Sequence, residues 1–352
     1  MKHMLIHAHT LDRKIDACFA RRSLSRETNS AVWHGRARRF AAAIALAFVA
    51  QTGIADDFMG QYKGTFFPDS AVKLEATAKV VAEGDGYYRI VVNAPGKEGY
   101  DGASVEIYGR QFGPEVGLFG RAGGYHWNGN IRNGTLTANS DYGQSFRLSK
   151  IESKSPKAGL TPPEGAVVLL AFGSDQAPDL SQWTNREWKA LDKGIMQCTP
   201  GKGENRTQRE FGRIEHLHIE FRLPLEPGNR GQGRANSGVY LADQYEVQVL
   251  DSFGLTHTSG DCGGLYGIAR ARVNASLPPE TWQTYDITFQ PARLDNDGKT
   301  LEQPKITVLH NGVTIHENQE IPSKTHRLKG PLQLQDHGHP IQFRNIWVVE
   351  GK

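Results

Sequence analysis

Residues able to move protons or hold hydroxyl groups sit on one side of several short alternating runs. In His216-Leu217-His218-Ile219-Glu220-Phe221-Arg222, apolar Leu217, Ile219 and Phe221 alternate with His216, His218, Glu220 and Arg222. Successive strand side chains point to opposite faces, so the apolar set faces a core and the polar set faces away. Tyr245-Glu246-Val247-Gln248-Val249 sorts the same way, with Glu246 and Gln248 outward. In Leu332-Gln333-Leu334-Gln335-Asp336-His337 the outward set is Gln333, Gln335 and His337, and in Tyr285-Asp286-Ile287-Thr288-Phe289 it is Asp286 and Thr288. A face of Glu, Gln, His and Arg suits a polar groove for a hydroxylated ligand, with carboxylates and imidazoles for acid–base work. The competing reading is a solvated sheet face knit by cross-strand pairs.

Several other chemistries are not encoded. Cys262-Gly263-Gly264-Leu265-Tyr266-Gly267 lacks the G-x-G-x-x-G spacing of a nucleotide site. His216-Leu217-His218 is only H-x-H, which a plain strand explains without zinc. There is no G-x-S-x-G elbow to present a serine nucleophile.

The elements that carry these residues are strands. No window after Ala55 has a convincing helical period, and alternating runs broken by Gly, Asn, Asp and Pro dominate, as in Tyr88-Arg89-Ile90-Val91-Val92 and Ser104-Val105-Glu106-Ile107-Tyr108. Asn128-Gly129 and Asn133-Gly134 read as hairpin turns. The expected class is all-β: a small antiparallel β domain over 56–152, a Pro-, Lys- and Gly-rich linker over 153–164, and a β-sandwich of a dozen or so strands over 165–352.

The chain has 352 residues and a formal charge of +3, a weak hint of nucleic-acid binding that depends on where the charge lies. Residues 1–55 hold nine Lys or Arg against three acids, and Arg36, Arg38 and Arg39 run into the apolar stretch Phe40 to Ala50. A basic region, a short apolar core and a small-residue exit ending at Ala55 make 36–55 a secretory signal peptide, and a membrane anchor would ask for a longer run. Residues 1–35 read as an unstructured extension or a misassigned start. Without 1–55 the chain has 32 basic against 35 acidic residues, so the nucleic-acid hint disappears with the leader. The expected location is periplasmic or secreted, with no membrane span in the mature chain. There Cys198 and Cys262 could pair, although nothing in their spacing demands it.

Eight segments in order carry a family resemblance. Asn236-Ser237-Gly238-Val239-Tyr240-Leu241 and Tyr245-Glu246-Val247-Gln248-Val249-Leu250-Asp251-Ser252 are the most telling. Asp179-Leu180-Ser181-Gln182-Trp183, Ile219-Glu220-Phe221-Arg222-Leu223-Pro224, the Cys262–Gly267 run, Trp282-Gln283-Thr284-Tyr285-Asp286, Leu332 to Gly338 and Phe343-Arg344-Asn345-Ile346-Trp347 accompany them. Residues 165–350 thereby resemble the 3-keto-disaccharide hydrolase domain family. The resemblance implies a concanavalin-like jelly roll whose concave sheet binds a glycoside or oligosaccharide. It implies nothing for 56–160.

The implied substrate is a glycoside already oxidised to a ketone at C3. That ketone acidifies the C2 proton, a base removes it, the C1 substituent leaves, and water adds back. On this reading Glu246 is the base or acid, His337 its partner or a metal ligand, and Glu220 and Arg222 orient substrate or stabilise charge. Gln248, Gln335 and Asn236 hydrogen-bond hydroxyls, and Tyr240 and Trp282 are candidate stacking rings. No cofactor is certain, and a divalent cation is compatible with the enolate. Two alternatives stand beside it. One is a non-catalytic carbohydrate-binding module. The other is a laminarinase-type retaining glucanase, whose E-x-D-x-x-E spacing Glu246-x-Gln248-x-x-Asp251 follows with Gln at the central acid and with Asp251 on the wrong face unless a bulge intervenes.

Overall fold

A computed structural model describes residues 56–351 apart from Glu98, Asp101 and Ser174, so the expected extension and signal peptide lie outside the described residues. The first strands are β1 (Gly60–Phe67), β2 (Leu74–Gly84), β3 (Tyr87–Ala94), β4 (Ala103–Phe112), β5 (Glu115–Ala122), β6 (Tyr125–Arg132), β7 (Thr135–Ser140) and β8 (Ser145–Lys150). Each pairs antiparallel with the next, and β8 returns to β1, so the sheet closes into a barrel with no free edge. Eight strands leave an interior that side chains can fill. Tyr62, Phe66, Ile90, Ile107, Trp127 and Phe146 fill it here, with the Phe66 and Phe146 rings stacked at 4.6 Å.

Only one of the two Asn-Gly pairs is a turn. Asn133 and Gly134 have φ of 50° and 69° and join β6 to β7. Asn128-Gly129 instead lies inside β6, where a Cβ on residue 129 would collide with the backbone of Thr137. Its glycine serves close strand approach rather than a bend.

The second part holds β9 (Val167–Leu170), β10 (Lys189–Leu191), β11 (Ile195–Gln197), β12 (Asn205–Phe211), β13 (Ile214–Arg222), β14 (Ser237–Leu241), β15 (Tyr245–Val249), β16 (Gln283–Gln290), β17 (Arg293–Leu294), β18 (Thr300–Glu302), β19 (Lys305–His310), β20 (Val313–Glu320), β21 (Gly330–Leu334) and β22 (Gln342–Glu350). Eight of them form a large sheet, in the order β10-β11-β22-β13-β16-β19-β20 with β9 also on β22. Four form a small sheet ordered β12-β21-β14-β15, and β17 and β18 make a separate ribbon. Leu217, Ile219 and Phe221 of the large sheet share one apolar core with Val239, Val247, Val249 and Leu334 of the small one. Inward and outward residues therefore alternate as the sequence indicated. Cys198 and Cys262 are both free and buried, and Cys262 Sγ lies 3.1 Å from the Tyr285 hydroxyl.

Two packing features bear on the site. The Pro- and Gly-rich segment after the barrel is laid on the large sheet: Ser155 Oγ is 2.8 Å from Thr284 Oγ1, and Asn345 Nδ2 donates to Leu160 O at 3.0 Å. The barrel braces the loops that border the small sheet. Phe253 joins the barrel's apolar cluster, Arg234 Nη2 donates to Ala82 O at 3.0 Å, and Arg89 Nη1 donates to Gly254 O at 3.0 Å.

Candidate active site

The outer face of the small sheet carries the first constellation. Tyr240 pairs in register with Glu246 on one side and Gln333 on the other, while Gly238 pairs with Gln248. Alternation puts Gly238, Tyr240, Glu246, Gln248 and Gln333 on one face, since Val239, Val247 and Leu334 are in the core. Gln335 joins them, its backbone N–H donating to Gly238 O at 3.0 Å.

Glu246 lies over Gly238, where a Cβ would collide with its carboxylate and press on the Tyr240 ring. Glycine at 238 is thus what lets the carboxylate lie down on the sheet. Burial raises the Glu246 carboxyl above its ordinary value, and a hydrogen bond from Tyr240 opposes the rise. Burial, then the Glu246 carboxylate, pushes the Tyr240 phenol up. Gln335 Nε2 donates to Tyr240 Oη at 3.2 Å. Amide, phenol and carboxylate form a short chain in which each donor orients the next acceptor. Gln335 Oε1 and Asn236 Oδ1 are buried acceptors with no protein partner.

Other polar residues hold this face together. Gln248 is buried, its Nε2 donating to Gln232 Oε1 at 3.1 Å and its Oε1 accepting from Val249 N at 3.0 Å. Asn236 Nδ2 also donates to Gln232 Oε1, at 3.0 Å, and Gln232 Nε2 donates to Gly260 O at 2.8 Å. Gln232 therefore ties its own loop and the Gly260 loop to β15. Its run Gly231-Gln232-Gly233 is a 3-10 turn with no alternation, so no sequence signal marks it. Tyr266 is a second missed residue, exposed and close enough to act on Tyr240 electrostatically. It stands in the Cys262–Gly267 run, so a signal was there.

His337 is exposed in the turn Asp336–Gly338, its ring parallel to His339 at 6.3 Å. No hydrogen bond or ion pair among the described residues joins it to Glu246. His339 instead holds Glu226, with Nδ1 to Oε1 at 3.0 Å.

Three expected site residues belong to the opposite sheet, so the single groove is divided. Alternation tells inward from outward but not which sheet a strand joins. Glu220 on β13 is fully buried: Oε1 accepts from Gly159 N at 2.6 Å and Asn345 Nδ2 at 2.8 Å, and Oε2 accepts from Arg344 Nε at 2.8 Å. Burial alone would raise its carboxyl, but hydrogen bonds from His218, Asn345 and Gly159, with the charge of Arg344, hold it below the ordinary value. Arg222 Nε donates to Gln342 Oε1 at 2.9 Å. Trp282 is stacked by Arg222 at 5.1 Å and Arg344 at 4.1 Å, which occupies its ring with cations rather than sugar. Glu220 thus anchors the 155–160 segment. Replacing it by Gln is expected to cost about 3–5 kcal/mol of stability and to leave turnover per folded molecule unchanged, read by denaturant melts beside an assay well below the midpoint.

Asp251 is also no partner for Glu246. It is buried beyond β15 in an ion pair with Arg234, Nε to Oδ2 at 2.6 Å. The second carboxylate of a retaining glucanase is not presented there.

Among curated proteins no sequence matches the chain. A crystal structure of a "putative glycosyl hydrolase" from Parabacteroides distasonis ATCC 8503 is 32% identical, covers 54% of this chain and 86% of its own, and superposes with a TM-score of 0.50. A second protein of that description from the same organism is 15% identical over 49% of this chain and 90% of its own, with a TM-score of 0.37, too distant to bear on the site. Residues 172–349 match the model of the 3-keto-alpha-glucoside-1,2-lyase-like domain, and with half of its length so matched the chain belongs to that family.

Proposed function

We propose that the protein is an exported, carbohydrate-active enzyme that cleaves 3-keto-glycosides, with Glu246 as the proton-transfer residue. Family membership supports a sugar substrate, and one observation supports the chemistry. A half-buried carboxylate with a raised pKa lies flat on a polar sheet face, held by a phenol. The sandwich is read as a concanavalin-like jelly roll, with the small sheet as its ligand face. No helix among the described residues is long and apolar enough to cross a membrane, and a periplasmic or secreted location is part of the proposal.

The steps follow from the substrate. Glu246 takes the C2 proton, and the C–H electron pair moves into an enolate on the C3 oxygen. The enolate collapses to expel the C1 substituent, whose oxygen leaves with the bond pair and takes a proton, giving a C1=C2 double bond. Water adds its oxygen at C1 and a proton at C2, and the sum is hydrolysis. Stopping before water adds makes the enzyme a lyase. Incubation with a 3-keto glucoside and with an unoxidised β-glucan tests the reading: cleavage of the first alone supports it, while cleavage of the second, or binding without cleavage, overturns it.

A base must be deprotonated to act, so a raised Glu246 pKa places the acid limb of kcat/KM above the ordinary glutamate range, with activity lost as pH falls through it. Tyr240 opposes that rise, so Tyr240→Phe is expected to move the limb to still higher pH. A limb that stays put, or moves down, contradicts the role given to Tyr240.

A further inference from the structure

The outer face of the large sheet holds a second constellation, which the proposed chemistry does not use. His216 and His218 lie on one face of β13, and Asp286 on β16 is the register partner of His218. His216 Nε2 and His218 Nδ1 both point at Asp286 Oδ1, each at 2.8 Å. Among the described residues these three are the one group of His, Cys, Asp or Glu whose donor atoms all lie within 4.8 Å of one another. The hydrogen bonding is lopsided. One carboxylate oxygen takes both rings, while Asp286 Oδ2 is buried with no partner and His218 Nε2 has only a long contact, 3.5 Å, with Glu220 Oε1. An unpartnered carboxylate oxygen on a residue only 7% exposed is a costly feature that a cation held by both carboxylate oxygens would remove.

We propose that His216, His218 and Asp286 bind a divalent transition metal of the zinc class. Two imidazoles and a carboxylate are the ligand types zinc accepts, at roughly 2.0–2.2 Å from the metal. Tetrahedral ligands at that distance stand about 3.3 Å apart, so the two 2.8 Å contacts to Asp286 Oδ1 need to lengthen by about 0.5 Å, and the two ring nitrogens already lie within 4.8 Å of each other. The open position falls on the His216 side, whose side chain is 37% exposed and admits water. Behind the site, His218 Nε2 is 3.5 Å from Glu220 Oε1, and Arg344, Asn345 and Gly159 fix that carboxylate. Carboxylate, imidazole and metal in line is the usual support for a metal-bound histidine. Trp347 fixes both rings, stacked on His218 at 5.2 Å and edge-on to His216 at 4.7 Å. The H-x-H pair lacked a third ligand in the sequence because that ligand comes from a strand some seventy residues away. The site is on the other sheet from Glu246, with the apolar core between them. Its effect is therefore on stability.

The test uses the full chain stripped with a chelator. Cobalt(II) should bind at one equivalent with a visible band typical of low-coordinate nitrogen and oxygen ligation, zinc should displace it, and either metal should raise the melting temperature. His216→Ala, at a half-exposed position, should fold without metal yet lose at least about a hundredfold in cobalt affinity together with the band and the thermal shift. Asp286→Asn gives the same loss by a different ligand. No band in the unmutated chain overturns the proposal. So does a band that persists in both variants, which would place the metal on other histidines such as His3, His7 or His9.

Discussion

Glu246→Gln is expected to lower kcat/KM on a 3-keto glucoside by about 10²- to 10⁴-fold, the usual contribution of a positioned general base. The same change should leave the fold intact. Gln is close in volume, still accepts from the Tyr240 hydroxyl, and removes a carboxylate that burial disfavours. Stability within about 0.5 kcal/mol of the parent is the expected companion result. The pairing of a large kinetic loss with an unchanged melt separates a proton-transfer residue from a cross-strand structural one, and full retained activity would remove Glu246 from the mechanism. Tyr240 bonds the carboxylate, Gln335 in turn bonds Tyr240, and Gly238 leaves room beneath it, while Glu204 acts on the same phenol only through its charge.

The second large effect is on stability. Asp251→Ala is expected to destabilise the protein by about 3–5 kcal/mol, because it leaves the Arg234 guanidinium buried and uncompensated. Arg234 also donates to Ala82 O in the barrel, and Asp251 Oδ1 accepts from Phe253 N at 3.3 Å. The pair therefore binds the loops beside the small sheet to the barrel wall, and its loss should loosen both. Replacing both partners at once by Leu and Met should cost less than either single removal, since no charge is then stranded. Chemical denaturation of the singles and the double gives the comparison. A double variant whose loss equals the sum of the two single losses would mean that the pair is not coupled.

Strand identity and facing were readable because the side-chain period of two is local. Leu217, Ile219, Val247 and Leu334 went to the core as their spacing required. Sheet membership was not readable, because it depends on which strands pair across long sequence gaps. Glu220 and Glu246 have the same outward pattern, yet one is fully buried on β13 between β22 and β16, under the 155–160 segment, and the other is half-buried on β15 beside β14. Local composition also hid closure: β1 and β8 are separated by the whole barrel, and nothing within either announces their pairing. The turn signals split because Asn-Gly states a preference, and at residues 128–129 the close approach of β7 outweighed it. Gln232 and the Arg234–Asp251 pair lie in irregular segments, where spacing has no period to read.

On this mechanism cleavage begins with loss of the C2 proton. Turnover of a 3-keto glucoside in deuterium oxide tests it directly, with the C2 position of the released sugar read by proton resonance or mass. Elimination followed by rehydration predicts one solvent deuteron at C2 in the product of the unmutated protein, above the slow exchange of the substrate alone. Released sugar that keeps its C2 protium while the glycosidic bond is cut at full rate would mean direct displacement at C1, and would contradict the mechanism.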